Sequence, residues 1–212
     1  MKHSIKDKAF IGGLAAAYTA FALTFRGPRT QFWNRMTATG LTLGSLSLAS
    51  RPELRKTRIG PKEVALGLGS AGVLYVIFQI GDRLARVIMP NGAAEIEDIY
   101  KLQHLGSKKD LAARLTTIIG PAEELFWRGV VQGTLMDALG KPLGTVLGTA
   151  AYGGAHLVTG NFTLIGAASI AGGYWGSLYA AGMPMGALIV SHSVWDVYTF
   201  LIAPTTQLKK DE

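Results

Sequence analysis

Four ionisable side chains in apolar stretches of the sequence could do chemistry together: Glu123, His156, His192 and Asp196. An unpaired carboxylate in a low-dielectric site can act as a general base, and two histidines and two carboxylates in apolar segments are unlikely to be independent accidents. Tyr152 and His156 are four residues apart, as are His192 and Asp196, which puts each pair on one helix face. An ionisable group near the bilayer centre costs about 2.5–3.5 kcal/mol on insertion scales, so its presence indicates function.

Two adjacent glutamates in the segment Pro121–Gly129 are predicted to have different interactions. Glu124 and Arg128 are at i and i+4 with the glutamate first, which is the favourable order for an ion pair on a helix. Glu123 lies about 100° around the helix from Glu124 and has no such partner. The spacing therefore predicts that Glu123 is the general base and that Glu124 and Arg128 are structural, with Pro121 in the first turn of their helix.

The distribution of charge predicts the elements that must position these groups. The chain has 212 residues, is 49% hydrophobic and only 17% charged, and contains no Lys, Arg, Asp or Glu from Pro142 to Trp195. A soluble helical domain needs a wet face on every helix, whereas a bilayer requires about 20 apolar residues per span. Intrinsic disorder is excluded by the hydrophobicity. A disulfide scaffold is excluded because the chain has no cysteine.

The predicted fold class is all-α: a polytopic transmembrane bundle of about 6–8 helices with the active site inside it. Gly92–Asp110 contains charges of both signs and is the one region predicted to be soluble: a surface helix followed by a turn at Gly106 and Ser107. Glycines four apart in apolar segments, such as Gly144 and Gly148, predict close helix packing. The predicted spans are Ala9–Phe25, Met36–Ser50, Val64–Ile80, Pro121–Leu139, Pro142–Val158, Phe162–Ala181 and Met185–Ala203.

The net charge of +7 fits the same interpretation. The basic residues lie between hydrophobic segments, where they set topology and meet anionic lipid head groups. They form no stripe with interleaved aromatics, so nucleic acid is not a predicted partner. We divide the chain into N-terminal membrane helices with a short soluble segment (1–110, the soluble part at about 92–110), a catalytic helical core (111–204) and a polar tail (205–212).

Three motifs taken in order resemble one family. Glu123-Glu124-x-x-x-Arg128-Gly129, Tyr152-x-x-x-His156 and His192-x-x-x-Asp196 are similar to the pattern of the CAAX-protease and bacteriocin-processing (CPBP, or Abi) intramembrane endopeptidases, which include the Rce1-type prenyl-protein proteases. The resemblance covers about 117–203. It departs from the family at Tyr152, where phenylalanine is common, and at Asp196, where asparagine stands in the best-studied members.

The resemblance implies cleavage of a peptide bond inside the membrane by a glutamate-activated water. It makes Glu123 the general base and His156 the residue that helps to bind water. His192 and Asp196 would stabilise the oxyanion. Glu124, Arg128 and Tyr152 would support the structure and position the substrate. No cofactor is required by this scheme, but the residues Glu123, His156, His192 and Asp196 also suit a divalent metal such as zinc.

The expected partners are the lipid bilayer and a membrane-associated peptide or protein: a prenylated C-terminal peptide, a pheromone or bacteriocin leader, or a sorting-signal tail. The expected location is a bacterial inner (plasma) membrane. Two other functions stay open at this stage. One is a non-catalytic membrane scaffold or immunity protein with the same fold, and the other is an ion-coupled carrier, for which no internal repeat gives support.

Overall fold

The computed structural model describes residues 5–205 and contains eight helices and no β-strand within them. The predicted polar tail therefore lies, from residue 206 on, outside the described residues. The predicted all-α fold class is confirmed. The helices are α1 (Lys8–Phe25), α2 (Phe32–Ser50), α3 (Pro61–Ile88), α4 (Gly92–Tyr100), α5 (108–139), α6 (Lys141–Ala155), α7 (Phe162–Ala180) and α8 (Met185–Val197, continued by the wider turns of Tyr198–Ile202).

Three helices are long and apolar enough to cross a membrane: Lys8–Phe25, Pro61–Ile88 and Met185–Ile202. They correspond to three of the seven predicted spans, and α3 is longer than its prediction at both ends. Large apolar side chains such as Val76 and Val87 on α3 are exposed on the outer surface of the bundle, which a bilayer would cover. The chain therefore has the properties of an integral membrane protein, and the four other spans stay predictions.

The prediction that a helix begins at Pro121 is wrong, because α5 is continuous from 108 to 139. An interior proline lacks an N–H and its ring clashes with the carbonyl four residues before it. The π-helical turn Leu115–Ile119 immediately precedes it, with the Gly120 N–H donating to the Leu115 carbonyl. Such wider turns relax the ladder at the proline and are frequent at functional sites. A second π-helical segment, Glu124–Gln132, carries the Glu124-to-Arg128 motif.

The predicted role of glycine in close packing is confirmed in α6 and α7. A Cβ on Gly144 would lie 2.5 Å from backbone atoms of Met136 on α5. One on Gly172 would lie 2.8 Å from the Tyr152 ring. Since real Cβ contacts do not come that close, larger residues at either position would force the helices apart. Gly172 therefore allows α7 to pack against the ring of a candidate site residue.

The helix α4 lies across one end of the bundle and ties several elements together. An ion pair joins Arg29, before α2, to Asp98 at 2.9 Å. The Glu95 carboxylate accepts hydrogen bonds of 2.7 Å from both the backbone N–H and the hydroxyl of Thr163 in the first turn of α7. A negative charge at a helix N-terminus is favourable. The predicted surface helix is present, and it also closes this end of the bundle.

We expect the attachment of α4 to depend on the charge of Glu95. The hydrogen bond from the Thr163 hydroxyl holds the pKa of this carboxyl below its usual value, and the backbone N–H adds to the effect. Because the pKa of Glu95 is lowered in the folded state, its contribution to the attachment of α4 is complete above the unfolded-state pKa of about 4.3. That contribution is lost as the pH falls through the folded-state pKa.

The attachment of α4 can be measured with a nitroxide spin label on Ala94→Cys. The label goes to this position alone because the native chain has no cysteine. Its mobility should rise as the pH falls below about 4.3. In Glu95→Ala it should already be high at pH 7, and in Glu97→Ala, changed in the same helix, it should stay low. Equal mobility in all three proteins at pH 7 would contradict the proposed attachment.

Candidate active site

Five polar side chains on α5, α6 and α8 face one cavity of about 480 Å³. The structure thus brings together all four ionisable residues on which the sequence argument rests, and it adds Tyr152. Most of the remaining wall is apolar and comes from α2, α3, α4 and α7. Glu124 and Arg128 are buried behind this wall and do not line it. The five side chains are Glu123, Tyr152, His156, His192 and Asp196.

Glu123 is only 4% exposed, and it has a partner that the sequence did not reveal. The Tyr152 hydroxyl on α6 donates a hydrogen bond of 3.0 Å to its Oε2. The prediction concerned ion-pair partners on the helix of Glu123, and this contact comes from a different helix. A single hydroxyl donor orients a carboxylate and leaves its other oxygen able to face the cavity. Tyr152 thus holds Glu123 in place without neutralising it.

The predicted ion pair of Glu124 and Arg128 is present and buried. Oε1 of Glu124, which is 0% exposed, lies 3.1 Å from Nη1 of Arg128. The pair is held by charge rather than by a well-directed hydrogen bond, because neither η nitrogen of Arg128 meets hydrogen-bond geometry. The guanidinium also lies 4.6 Å from the Tyr152 ring centre and 5.3 Å from that of Trp175. These aromatic faces attract the cation in place of water.

His192 lies between two carboxylates. Its Nδ1 is 2.7 Å from Oε1 of Glu124, and its Nε2 is 3.5 Å from Oδ2 of Asp196. Since a carboxylate only accepts, the Nδ1 atom carries the proton of the shorter bond. That bond anchors the Nδ1 edge of the ring, while the longer contact is at the limit of a hydrogen bond. The Nε2 side of the imidazole is consequently the side left for further contacts, and His192 lines the cavity.

His156 at the end of α6 is fixed by its own helix and by α1. Its Nδ1 lies 3.0 Å from the Tyr152 carbonyl oxygen, which can only accept, so the proton is on Nδ1. The rings of Phe21 and Phe25 pack against the imidazole at 5.3 and 5.8 Å between centroids. Nε2 is left as the atom that can bind a water. Sequence reasoning missed the two phenylalanines, because nothing in the sequence of α1 indicates that they contact His156.

The donor groups do not fit the metal site that the sequence left open. Within residues 5–205 no three His, Asp or Glu side chains converge in an arrangement that could hold a metal ion. Zinc requires at least three protein ligands close to 2 Å from one point. We therefore derive no step of the chemistry through a metal.

Residues 111–198 match the family model described as type II CAAX prenyl endopeptidase Rce1-like. The resemblance that the motifs indicated is confirmed, and the match includes every candidate site residue named above. This segment is thus similar to a family of membrane peptidases, which are hydrolases. Comparison with curated proteins gave no match, and neither did comparison with solved structures.

Proposed function

We propose that the protein is an intramembrane endopeptidase that hydrolyses a peptide bond of a membrane-associated peptide with a water activated by Glu123. The observation that carries this proposal is the placement of a buried carboxylate and two oriented imidazoles around one apolar cavity. A dry site strengthens every interaction with developing charge. The family match of residues 111–198 supports the general class of the reaction.

The reaction would proceed in two proton transfers. Glu123 takes a proton from a water that Nε2 of His156 holds by a hydrogen bond, and the oxygen attacks the scissile carbonyl carbon. The carbonyl oxygen becomes an oxyanion. Glu123 then returns the proton to the amide nitrogen as the C–N bond breaks, which gives a carboxylic acid and an amine. This use of one group as base and then acid is ordinary general acid–base catalysis.

His192 would stabilise the oxyanion in this scheme, and Asp196 would act through it. With its Nδ1–H directed at Glu124, a second proton on Nε2 makes the ring a donor to an oxygen in the cavity. Asp196 lies next to this atom and offsets the charge of the doubly protonated ring. In this scheme Asp196 need not donate a hydrogen bond itself, which accounts for an aspartate where asparagine is known in the family.

The cavity fits a substrate that arrives from the bilayer. Leu84 and Ile88 on α3 line it and are also 54% and 72% exposed. The cavity therefore extends to a surface of α3 that a bilayer would cover. An apolar peptide segment could pass between lipid and the catalytic groups without crossing a polar boundary. We propose this class of peptide as the substrate.

Tyr152→Phe should lower kcat about tenfold with KM nearly unchanged. A hydrogen bond to a charged group is worth about 1.5–3 kcal/mol, and each 1.4 kcal/mol corresponds to a factor of ten. The ring and its contact with Arg128 stay, so stability should change little. Steady-state kinetics on a cleaved peptide will measure the effect. If Tyr152→Phe retains full kcat, the hydroxyl does not orient Glu123.

The proposal can be tested with the full chain in lipid nanodiscs and a library of membrane-anchored peptides. We expect new peptide termini with the native chain, also after treatment with a chelator, and none with His192→Ala. Cleavage by His192→Ala at the native rate would overturn the proposal. If the native chain cleaves nothing while His192→Ala still complements a gene deletion, the non-catalytic scaffold is correct instead.

A further inference from the structure

Trp175 on α7 is stacked against the candidate catalytic imidazole. Its ring centroid is 4.1 Å from that of His192, and the two planes differ by only 18°. Trp175 is 0% exposed to solvent, and it is one of the residues beside the cavity. A flat ring pressed on one face of an imidazole resists rotation of that imidazole about its Cβ–Cγ bond. No step of the proposed reaction uses this residue.

The indole itself is fixed by a buried hydrogen bond. Its Nε1 donates to Oγ of Ser191 at 3.0 Å, and Ser191 is adjacent to His192 on α8. Ser191 is also fully buried. A buried indole N–H costs free energy unless it finds a partner, so this bond favours one ring orientation over the others. The direction of the Trp175 plane, and with it the plane of His192, thus depends on the Ser191 hydroxyl.

The same hydroxyl is held by α3, outside the segment that matches the family model. Oγ of Ser70 lies 2.9 Å from Oγ of Ser191, and the Tyr174 hydroxyl donates to the Ser70 carbonyl at 2.9 Å. Close approach of α3 to α8 makes this possible. A Cβ on Gly67, one turn before Ser70, would lie 2.6 Å from Val190. The helix α3 therefore reaches the catalytic centre through a chain of three side chains.

We propose that Trp175 is a positioning residue for His192, and that the hydrogen-bonded chain Trp175–Ser191–Ser70 sets the plane of the imidazole between Glu124 and Asp196. The expected effect on kcat rests on the proposed function, whereas the expected effect on the orientation of the His192 ring does not. Catalytic groups must be held within about 0.5 Å and 10–20° of their productive geometry. The 2.7 Å bond to Glu124 fixes only one edge of the ring, and the indole fixes its face.

The alternative is that Trp175 only fills the core. It does belong to a buried cluster with Leu74, Ala171 and Leu188. An aliphatic residue could occupy much of the same volume, but it would offer no flat surface to the imidazole and no N–H to Ser191. Core filling therefore predicts a change in stability alone. Positioning predicts a change in kcat and in the motion of the His192 ring.

The test uses the full chain in nanodiscs with Trp175→Leu, Trp175→Phe, Ser191→Ala and the double variant Trp175→Phe/Ser191→Ala. Ser47→Ala is the control, because Ser47 is equally buried and its hydroxyl bonds only within α2. Misplacement of a catalytic group by about 1 Å can cost a hundredfold in rate. We expect kcat to fall about 10- to 100-fold in Trp175→Leu and about tenfold in Ser191→Ala. KM should stay within about twofold of the native value, because the interaction acts on the reaction step.

The double variant tests whether Trp175 and Ser191 act through one hydrogen-bonded chain or lower kcat independently. Trp175→Phe keeps a stacked ring and removes the N–H, so Ser191→Ala should cost little more in that background. If the two substitutions lower kcat fully additively, Trp175 and Ser191 do not act as one hydrogen-bonded unit. Unchanged kcat in both Trp175→Leu and Trp175→Phe, with native stability, would overturn the positioning role.

A second readout does not depend on activity. Solid-state NMR of ¹⁵N-labelled histidine can follow the four imidazoles of the chain, and His192→Asn assigns the relevant signal. We expect a rigid His192 ring in the native chain and in Ser47→Ala, and a mobile one in Trp175→Leu. A rigid ring in Trp175→Leu would overturn the inference. If the native chain cleaves no peptide, the proposed function fails, and the ring mobility still decides the positioning role.

Discussion

Glu123→Gln is expected to lower kcat of the purified protein by about 10²- to 10⁴-fold, which is the usual contribution of a general base. Glutamine has nearly the same shape, so it can still accept the hydrogen bond from Tyr152. It cannot take a proton from water. KM should change little, because the variant loses an interaction made in the transition state and keeps the apolar walls that bind the peptide. Single-turnover kinetics on a cleaved peptide in nanodiscs will measure the loss.

The matched control is Glu97→Gln, which removes a carboxylate of the surface helix α4 that does not line the cavity. It should retain native kcat. A Glu123→Gln protein that inserts, folds and cleaves within about threefold of the native rate would contradict the role of Glu123, because a lost general base must cost at least about 10².

Arg128→Met is expected to lower the free energy of unfolding by about 3–5 kcal/mol. The substitution keeps an unbranched chain of similar length but leaves Glu124 without its cation at a site that water does not reach. Breaking one side of a buried pair costs this much because a charge stays behind. The contacts of the guanidinium with the Tyr152 and Trp175 rings are lost as well. Steric trapping in bilayers will measure the free energy of unfolding.

Two further variants test whether the lost stability of Arg128→Met comes from the unpaired charge of Glu124. Arg128→Met/Glu124→Gln should be less destabilised than Arg128→Met alone, because the unpaired charge has been removed. Arg55→Met, at an exposed position in the loop before α3, should stay within about 0.5 kcal/mol of the native chain. If Arg128→Met is as stable as Arg55→Met, the buried pair of Glu124 and Arg128 does not stabilise the fold.

Interactions within one helix could be predicted from the sequence. The pair of Glu124 and Arg128 follows from a spacing of four and is present at 3.1 Å. The lateral position of helices could not be predicted. Tyr152 contacts Glu123 from another helix, 29 residues along the chain, and Trp175 stacks on His192 from α7. Such contacts depend on how helices rotate and cross, which a periodic apolar pattern does not determine.

The beginning of α5 shows a different limit of sequence reasoning. Pro121 is a common residue in a first helical turn, so a helix start was the reasonable expectation. The chain instead continues through it with a π-helical turn from Leu115 to Ile119. Packing of 108–139 against several neighbours outweighs the local preference of one proline, and tertiary context of this kind is invisible in a single sequence. Likewise, the charge of Gly92–Asp110 predicted a surface helix, but not that its apolar face, with Ile96 and Ile99, lines the cavity.

We propose that Glu123 makes this protein a peptidase of the membrane, and the most direct test is a comparison of peptide termini in host-cell membranes. Cells that contain the native chain are compared with cells that contain an equal amount of inserted Glu123→Gln. We expect a set of termini that is present with the native chain, absent with Glu123→Gln, and restored when the glutamate is restored. Identical termini in the two strains would contradict it.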